Sequence, residues 1–439
     1  MKTLFTLAAT AFALVASPAT AQDVVIINAK VVRGDGSEPI ENGRIVIEDG
    51  KVSSVGQTPA ITATPSEVQI VDAEGAWVTP GIFATITTLG IWDVGAVRDS
   101  NDSRADDSPF SAALDTAPAV NPNSQHILIH RAAGITRAAT TTLPSASIFA
   151  GQGAIIDLGA HGKPVMQARA FQMVDLGEGG ARLAGGSRAS TYALFHAALR
   201  EAQALVGAGG TPQTTEIAKD GEVMLSRFDA EALVPVVRGE QKLYISVERA
   251  ADIRSALGLR SEFPRLDIVL VGVSEGWLVA SEIAAAGVPV IADSLDDLPT
   301  GFDQLAATQS NIGRMVKAGV KVAINAAAME DPRRLSQHAG NLVALTKLPG
   351  ADGLTWDQAF AAISSIPAEI SGLGGRVGVL ASGALGDVVI WDGDPLEVGS
   401  VPTRVYIGGV AQPLDNHQSR LKERYRDLDE SDLPKAYDW

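Results

Sequence analysis

Cysteine is absent from the 439 residues of the chain. Disulfides, thiolate nucleophiles and cysteine-ligated zinc are therefore excluded, so any metal would depend on His, Asp, Glu or a modified Lys. Histidine is scarce, with six in the chain, and aromatic residues make up only 5% of it. Net positive charge is also lacking: the formal net charge of -16 argues against nucleic acid or an anionic membrane surface as a partner.

Long hydrophobic runs are missing beyond the first residues, so we expect no membrane span. The start of the chain has a shorter apolar run, Leu4 to Ala16, after the positively charged Lys2. Small residues at 19–21 then provide the cleavage signal of a signal peptidase. We therefore expect residues 1–21 to be a signal peptide and the mature protein, from Gln22, to be periplasmic or secreted.

Residues 22–79 have the pattern of β-structure. Two apolar, alternating segments at 44–48 and 51–55 are separated by Asp49-Gly50. An Asp-Gly pair between two β-rich segments is a strong hairpin signal, because both positions of the tight turn need left-handed backbone. We interpret this region as the first part of a small β-domain.

Residues 80–383 change to short apolar strands that alternate with helical segments, such as 249–259 and 277–286. Alternation over some three hundred residues predicts an α/β fold with a parallel sheet, and this length suits a (β/α)8 TIM-like barrel. Residues 186–208 are interpreted as an inserted helix. The five clearest strand candidates are 153–158, 243–247, 266–271, 288–291 and 320–324.

The chain returns to a β pattern at 384–415, and a charged tail follows at 416–439. The simplest arrangement joins both ends of the chain into one small β-sandwich domain beside the barrel. Chain ends of this charged composition are commonly peripheral, so we assign no chemistry to the tail.

Several segments resemble those of the amidohydrolase superfamily, in particular its imidazolonepropionase-like and prolidase-like group of metal-dependent hydrolases. They are Val-Thr-Pro-Gly-Ile at 78–82, Gly-Ile-Thr at 134–136 and Ile-Phe-Ala-Gly-Gln-Gly at 148–153. Near the end, Ile-Pro-Ala-Glu-Ile at 366–370 and Gly-Ala-Leu-Gly-Asp-Val-Val at 383–389 are similar to its closing signature, as is Trp-Asp-Gly-Asp-Pro-Leu at 391–396. The resemblance spans almost the whole mature chain and implies hydrolysis of C–N bonds in cyclic amides or dipeptides.

That resemblance implies a metal site at the carboxyl ends of the barrel strands, where a bound metal activates water. Two histidines separated by one residue should begin the site on the first barrel strand, since alternate residues point the same way. Here those positions hold Ile86 and Thr88. A branched alkyl group cannot bind a metal, and a neutral hydroxyl is a poor ligand.

The same substitution of non-ligands recurs at the other positions that the resemblance implies. The expected histidines fall on Ser246 and Gly272, and the expected general-base aspartate falls on Ala327 or its neighbour Ala326. We therefore expect a degenerate site with no cofactor and unknown catalytic residues. The six histidines, His126, His130, His161, His196, His338 and His417, are interpreted as structural or solvent-facing.

Three functions remain open. The first is a catalytically silent barrel that serves as scaffold or partner subunit, in a homo-oligomer or together with an active amidohydrolase relative. The second is an active hydrolase with a rebuilt site in which Glu248 and Glu275 hold a divalent cation such as zinc weakly. The third is a small-molecule binder that uses the emptied cavity.

Overall fold

A computed structural model describes residues 23–57, 68–207, 225–294, 296–325 and 331–426. The predicted signal peptide, the positions Ala326 and Ala327, and residues 427–439 of the tail lie outside these ranges. Within them, no helix combines the length and the apolar character needed to cross a membrane.

Strands from both ends of the chain form one mixed sheet. β14 lies antiparallel to β5, with Val388 opposite Pro80, and so joins the two ends as predicted. The strand order is β16-β15-β14-β5-β1-β2-β3, and β4 pairs with β1. The strands are β1 (Val24–Val31), β2 (Ile40–Glu48), β3 (Lys51–Gln57), β4 (Gln69–Asp72), β5 (Trp77–Pro80), β14 (Val388–Trp391), β15 (Pro402–Ile407) and β16 (Val410–Ala411).

The predicted Asp-Gly hairpin joins β2 to β3. Asp49 and Gly50 have φ values of 49° and 73°, and Glu48 pairs directly with Lys51 across the turn. Both turn residues are thus in the left-handed region that a tight hairpin requires. The hairpin prediction is confirmed.

A second sheet of eight strands curls into a nearly closed barrel, which confirms the predicted fold class. The strands are adjacent in chain order from β6 to β13. The first and last strands lie side by side, and Thr85 Oγ1 donates to Asn325 Oδ1 across them at 3.2 Å. The barrel strands are β6 (Ile82–Thr87), β7 (Ile135–Thr140), β8 (Phe149–Asp157), β9 (Val165–Asp175), β10 (Lys242–Val247), β11 (Ile268–Gly272), β12 (Val290–Asp293) and β13 (Val322–Asn325).

One barrel strand departs from the regular alternation that the sequence predicted. β8 runs antiparallel to both β7 and β9, whereas the other neighbouring strands are parallel. An antiparallel neighbour can be reached by a short loop, but a parallel one needs a longer crossover that is usually a helix. Segments 141–148 and 158–164 accordingly contain no helix, and the expected strand–helix repeat is wrong at this point.

Helices cover the outside of the barrel. The predicted helix at 249–259 is present as α5, and the one at 277–286 is shortened to α6 after a single 3-10 turn at Gly276–Leu278. The predicted insertion at 186–208 is α3. The helices are α1 (Gln125–Ala132), α2 (Glu178–Leu183), α3 (Arg188–Gly207), α4 (Arg227–Arg238), α5 (Ala250–Gly258), α6 (Ala280–Ala286), α7 (Asn311–Lys317), α8 (Leu335–Leu345), α9 (Trp356–Ala361), α10 (Ser365–Ile370) and α11 (His417–Arg424).

The inside of the barrel is filled by an apolar cluster. Phe171 stacks on Tyr244 with 4.3 Å between ring centroids, and buried aliphatic side chains surround the pair. Alternate residues of a strand face the same side, so the residue two positions beyond each inward apolar residue also faces the barrel axis. This rule determines which polar side chains reach the end of the barrel. The cluster includes Phe83, Ile86, Ala139, Met173, Val271, Ile291 and Ala323.

Candidate functional site

We define the mouth as the barrel end at which the parallel strands β10 to β13 terminate. In three of these four strands the last inward apolar residue is followed two positions later by a polar one: Tyr244 by Ser246, Ile291 by Asp293, and Ala323 by Asn325. Parallel barrels place binding and catalytic groups at this end. The mouth is therefore lined by hydroxyl, carboxyl and amide groups above an apolar plug.

The two strand-β6 positions that the resemblance singles out are buried. Ile86 is 2% exposed and packs in the apolar cluster inside the barrel. Thr88 is fully buried, and its Oγ1 has no hydrogen-bond partner among the described residues. At the corner where the family carries a pair of histidines, this chain presents a hydrocarbon and one unpaired hydroxyl.

At the end of β11, Gly272 leaves room for the carboxylate of a neighbouring residue. Gly272 has a φ of 87°, and a Cβ at this position would overlap Glu248 Oε1. Glu248 therefore occupies the space into which a side chain at Gly272 would project, so a histidine cannot fit there beside it. Ser246, the other predicted corner on this side, is partly buried at the end of β10.

Glu248 is held by the loop after β11. Its Oε2 accepts from the Ser274 backbone N–H at 2.9 Å and from Ser274 Oγ at 2.7 Å. Ser274 Oγ also lies 3.0 Å from Asp296 Oδ2, although a hydroxyl has a single hydrogen to donate. Both contacts are satisfied together only when one of the two carboxyl groups carries a proton and donates it to Ser274 Oγ.

The surroundings of Glu248 and Asp293 favour the protonated form of their carboxyl groups. Burial raises the pKa of Glu248 to about 8 against the opposing hydrogen bonds from Ser274. Burial, followed by repulsion from Asp296, raises the pKa of Asp293 to about 7, and the Asn325 side chain acts in the opposite direction. We call Glu248, Ser274, Asp293 and Asp296 the mouth cluster.

No basic side chain neutralises the mouth cluster within the described residues. The ion pairs there involve other carboxylates, such as Asp252, Asp303 and Asp331. Asp293 Oδ1 is buried and has no hydrogen-bond partner among those residues. A buried carboxyl without a partner is costly when ionised, and this cost is relieved by a proton or by a bound cation.

Glu275, the second predicted ligand of a rebuilt site, contacts backbone instead. Its Oε2 accepts from the N–H of Ala250 at 2.9 Å, and its Oε1 accepts from the N–H of Ala306 at 3.1 Å. The first contact satisfies a free N–H at the start of α5, and the second fixes the loop after β12. Both oxygens of Glu275 are thus used to position chain segments around the mouth.

The histidines lie mostly on the outside of the barrel. His126 and His130 are on α1, where His126 stacks on Trp92 and His130 lies 3.4 Å from Asp331. His161 contacts Asp157, His196 contacts Glu262, and His417 begins α11. His338 is closest to the mouth: its Nδ1 lies 2.9 Å from the hydroxyl of Ser294, the residue after Asp293.

Sequence reasoning missed Ser274, Asp293, Asp296 and Asn325. The available signal was the Asp-Ser-Leu-Asp run directly after the apolar strand at 290–292, because polar residues just beyond a parallel strand lie at the mouth. The resemblance implies metal ligands on other strands, so it does not single out this run.

The residues at the implied positions do not fit the family's metal. Hydrocarbon, glycine and single hydroxyl groups replace the imidazoles that such a metal needs. Across the described ranges, no group of three His, Asp or Glu side chains is placed to hold a metal ion. We therefore derive no step of a reaction through a metal.

Comparison with known sequences agrees with the earlier resemblance. The profile of the Amidohydrolase family matches residues 250–417. Amidohydrolase tasK of Hapsidospora irregularis is 24% identical over 405 residues, which cover 84% of this chain and 40% of that protein. The chain thus spans well under half the length of this curated relative.

Comparison with solved structures shows the shared fold. An amidohydrolase from Thermotoga maritima MSB8 has a TM-score of 0.76 at 22% identity and covers 88% of this chain and 99% of its own. A prolidase complexed with n-methylphosphonate-l-proline has a TM-score of 0.52 at 15% identity, with coverages of 89% and 99%. The matched segment and the relative make the chain similar to amidohydrolases, and the solved structures show that it shares their fold.

Proposed function

We propose that this protein is a catalytically silent member of the amidohydrolase superfamily, used as a binding or partner subunit. The observation that carries this proposal is the position of Ile86. Its side chain packs among Phe83, Val271 and other apolar residues inside the barrel, at the corner where a hydrolytic metal would need an imidazole. Hydrocarbon at that position supports the barrel and cannot activate water.

A protein that keeps its fold but loses its catalytic activity should retain residues that shape the backbone and lose residues that bind the metal. This chain shows both features. The Asp49-Gly50 turn and the junction of β5 with β14 serve the fold. Ile86, Ser246 and Gly272 stand where the chemistry of the relatives would require ligands. The proposal is that selection retained the first group and replaced the second.

The experiment is a metal measurement on the purified full chain. The protein is incubated with zinc or manganese, desalted, and analysed for metal per chain, beside the Glu248→Gln variant as a matched control. We expect well under one metal ion per chain in both. One tightly bound ion per chain that disappears in the variant would overturn the proposal.

An active hydrolase with a rebuilt site is the second candidate, and the mouth cluster favours it. A carboxyl group that keeps its proton near neutral pH, as Glu248 does, can act as a general acid at a C–N bond. Dipeptides, in keeping with the name of the prolidase, and cyclic amides, which the resemblance implies, are the substrates to test. Hydrolysis abolished by Glu248→Gln but unchanged by the exposed control Glu282→Gln would establish this candidate, and no hydrolysis above background is expected.

We also propose export and association with other subunits. The apolar run and the small residues at 19–21 support a signal peptide. A partner could be a second copy or an active relative in the same compartment. N-terminal sequencing of protein secreted by an expressing bacterium should begin at Gln22, and retention of residues 1–21 would contradict export. Native mass spectrometry tests assembly, and a monomer at all concentrations would contradict a homo-oligomer.

A further inference from the structure

The mouth cluster is an unneutralised acidic site with open hydrogen-bonding positions near it. Asp293 Oδ1, Thr88 Oγ1 and Thr141 Oγ1 are buried and without partners among the described residues. Thr88 and Thr141 are 0% exposed. Each lies two positions after a residue of the apolar cluster, Ile86 and Ala139 respectively, directly beyond the ends of β6 and β7 at the mouth.

Unpaired groups of this kind are available to bind a ligand. Buried polar atoms in folded proteins nearly always have a hydrogen-bond partner, and the exceptions call for an explanation. Here a carboxyl oxygen and two hydroxyls are open on the same end of one barrel. A group that carries positive charge and N–H donors, such as a protonated amine, is the kind of ligand that carboxyl and hydroxyl oxygens accept.

The loop after β12 adds an apolar surface beside these groups. Leu298, Phe302 and Leu305 are 79%, 81% and 65% exposed. Large apolar side chains that are this exposed mark binding surfaces when they are held in place. This loop carries all three within eight residues, directly after Asp296.

Polar contacts hold that loop against the mouth cluster. Gln304 Nε2 donates to Ser274 Oγ at 3.3 Å, and Ala306 N–H donates to Glu275 Oε1 at 3.1 Å. Phe302 N–H donates to Glu178 Oε2 at 3.0 Å. The loop is thus held at Phe302 and at two positions after it, while its large apolar side chains are exposed.

We propose that the mouth binds an organic cation: a protonated amine contacts Asp293 and Glu248, and its apolar body lies on Leu298, Phe302 and Leu305. The inference rests on the proposed function, since it assigns a ligand class to a barrel that binds without hydrolysing. Charge selects the amine, because a carboxylate ligand would meet three carboxyl groups with no basic residue among the described neighbours. The apolar side chains select a hydrophobic amine over a small one.

The test is calorimetric titration of the full chain at pH 8 with 2-phenylethylamine. Matched probes separate the contributions: 2-phenylethanol lacks the charge, 3-phenylpropanoate reverses it, and methylammonium lacks the apolar body. We expect binding of 2-phenylethylamine at least about tenfold tighter than of any of the other three. Equal affinity for the alcohol and the amine would overturn the inference.

Variants connect the affinity to the named residues. Asp293→Asn should weaken 2-phenylethylamine at least about tenfold, whereas Asp297→Asn, an exposed neighbour, should leave the affinity unchanged. Phe302→Ala should weaken 2-phenylethylamine and leave methylammonium unaffected. Thermal denaturation checks that Asp293→Asn is folded, and Glu248→Gln provides a second variant if it is not.

The outcomes separate the two proposals. A chain without bound metal that fails to bind any amine disproves the ligand class and leaves the silent barrel intact. A chain that takes up one zinc ion per molecule through Asp293 disproves the silent barrel. The ligand class is then decided separately, by whether 2-phenylethylamine binds to the zinc-free chain.

Discussion

At the scale of single residues, the carboxylate of Glu248 occupies the space that a side chain at Gly272 would need. Gly272→Ala would place a Cβ on Glu248 Oε1. It would also put an alanine into the left-handed backbone conformation, with φ 87°, that Gly272 adopts. We expect a loss of about 2–4 kcal/mol in the free energy of unfolding, from the overlap and the backbone strain together. Urea denaturation measures this loss.

The matched control is Gly287→Ala, at a second left-handed glycine. Gly287 has a φ of 61° and no atom within 4 Å of an added Cβ, so only the backbone strain of about 1–2 kcal/mol applies. Combining Gly272→Ala with Glu248→Ala should recover part of the loss by removing the overlap. Equal losses at the two glycines would contradict the contact between Gly272 and Glu248.

Glu248 also predicts how stability changes with pH. Burial raises its pKa from an ordinary 4.5 to about 8, so between these values the folded chain binds more protons than the unfolded chain. The free energy of unfolding therefore falls as pH rises from about 4.5 to 8. Glu248→Gln imitates the protonated form and should be more stable than the parent at pH 8 by on the order of 2 kcal/mol, with little difference at pH 5.

Unfolding free energies at a series of pH values test this directly. The control is Glu282→Gln, at an exposed position. Arg254 holds the pKa of Glu282 below its usual value, so Glu282 does not titrate above pH 5 and the stability of this variant should follow the same pH profile as the parent there. A Glu248→Gln profile parallel to that of the parent would show that Glu248 is ionised throughout.

At the scale of elements, a buried ion pair connects the barrel to the sheet formed by the chain ends. Arg137 of β7 donates to both oxygens of Asp387, just before β14, at 2.6 and 2.7 Å. Asp157 of β8 lies 3.4 Å from the same guanidinium. The three residues lie on three different strands or strand ends, so the contact fixes how the two sheets meet.

Removing the guanidinium should be costly. Arg137→Leu leaves two buried carboxylates without their partner, and we expect a loss of about 3–5 kcal/mol in the free energy of unfolding. The control is Arg254→Ala, which breaks an exposed, solvent-screened pair with Glu282 and should change the free energy of unfolding far less. Chemical denaturation compares the two variants, and similar losses would show that the buried pair contributes no more than a surface one.

The sequence predicts some of these elements well and others poorly, for physical reasons. The turn at Asp49 was predictable because left-handed backbone demands particular residues. The direction of β8 was not, because an apolar run such as 154–158 indicates a strand but not its orientation. Ile86 could be identified by resemblance, whereas Asp293 could not, because its role depends on which strands become neighbours.

At the scale of the whole molecule, the fold brings together charges that are distant in sequence. Glu248 follows β10 and Asp293 ends β12, and the loop after the intervening β11 supplies Ser274, which contacts Glu248 and Asp296. The chain has a formal net charge of -16, so an organic cation is also favoured at long range at low ionic strength. Raising the salt concentration should weaken this long-range part more than the buried contact.

The pH dependence of amine binding follows from the same groups. Asp293 and Glu248, with pKa values of about 7 and 8, must ionise to hold a cation, whereas an alkylamine stays protonated to about pH 10. Affinity for 2-phenylethylamine should therefore rise from pH 6 to 9 and fall above 10. Asp296, the third carboxyl group of the cluster, opposes ionisation of the other two, and burial lowers the pKa of the neighbouring His338.

Proton release gives the most direct evidence for this linkage. At pH 7, binding should expel protons from the mouth cluster, because the cation favours its ionised form. Titrations in two buffers with different heats of ionisation measure the number of protons released per amine bound. We expect a release that disappears at pH 9 and is reduced in Asp293→Asn. An affinity that does not change between pH 6 and 9, without proton release, would mean that the amine does not contact these carboxyl groups.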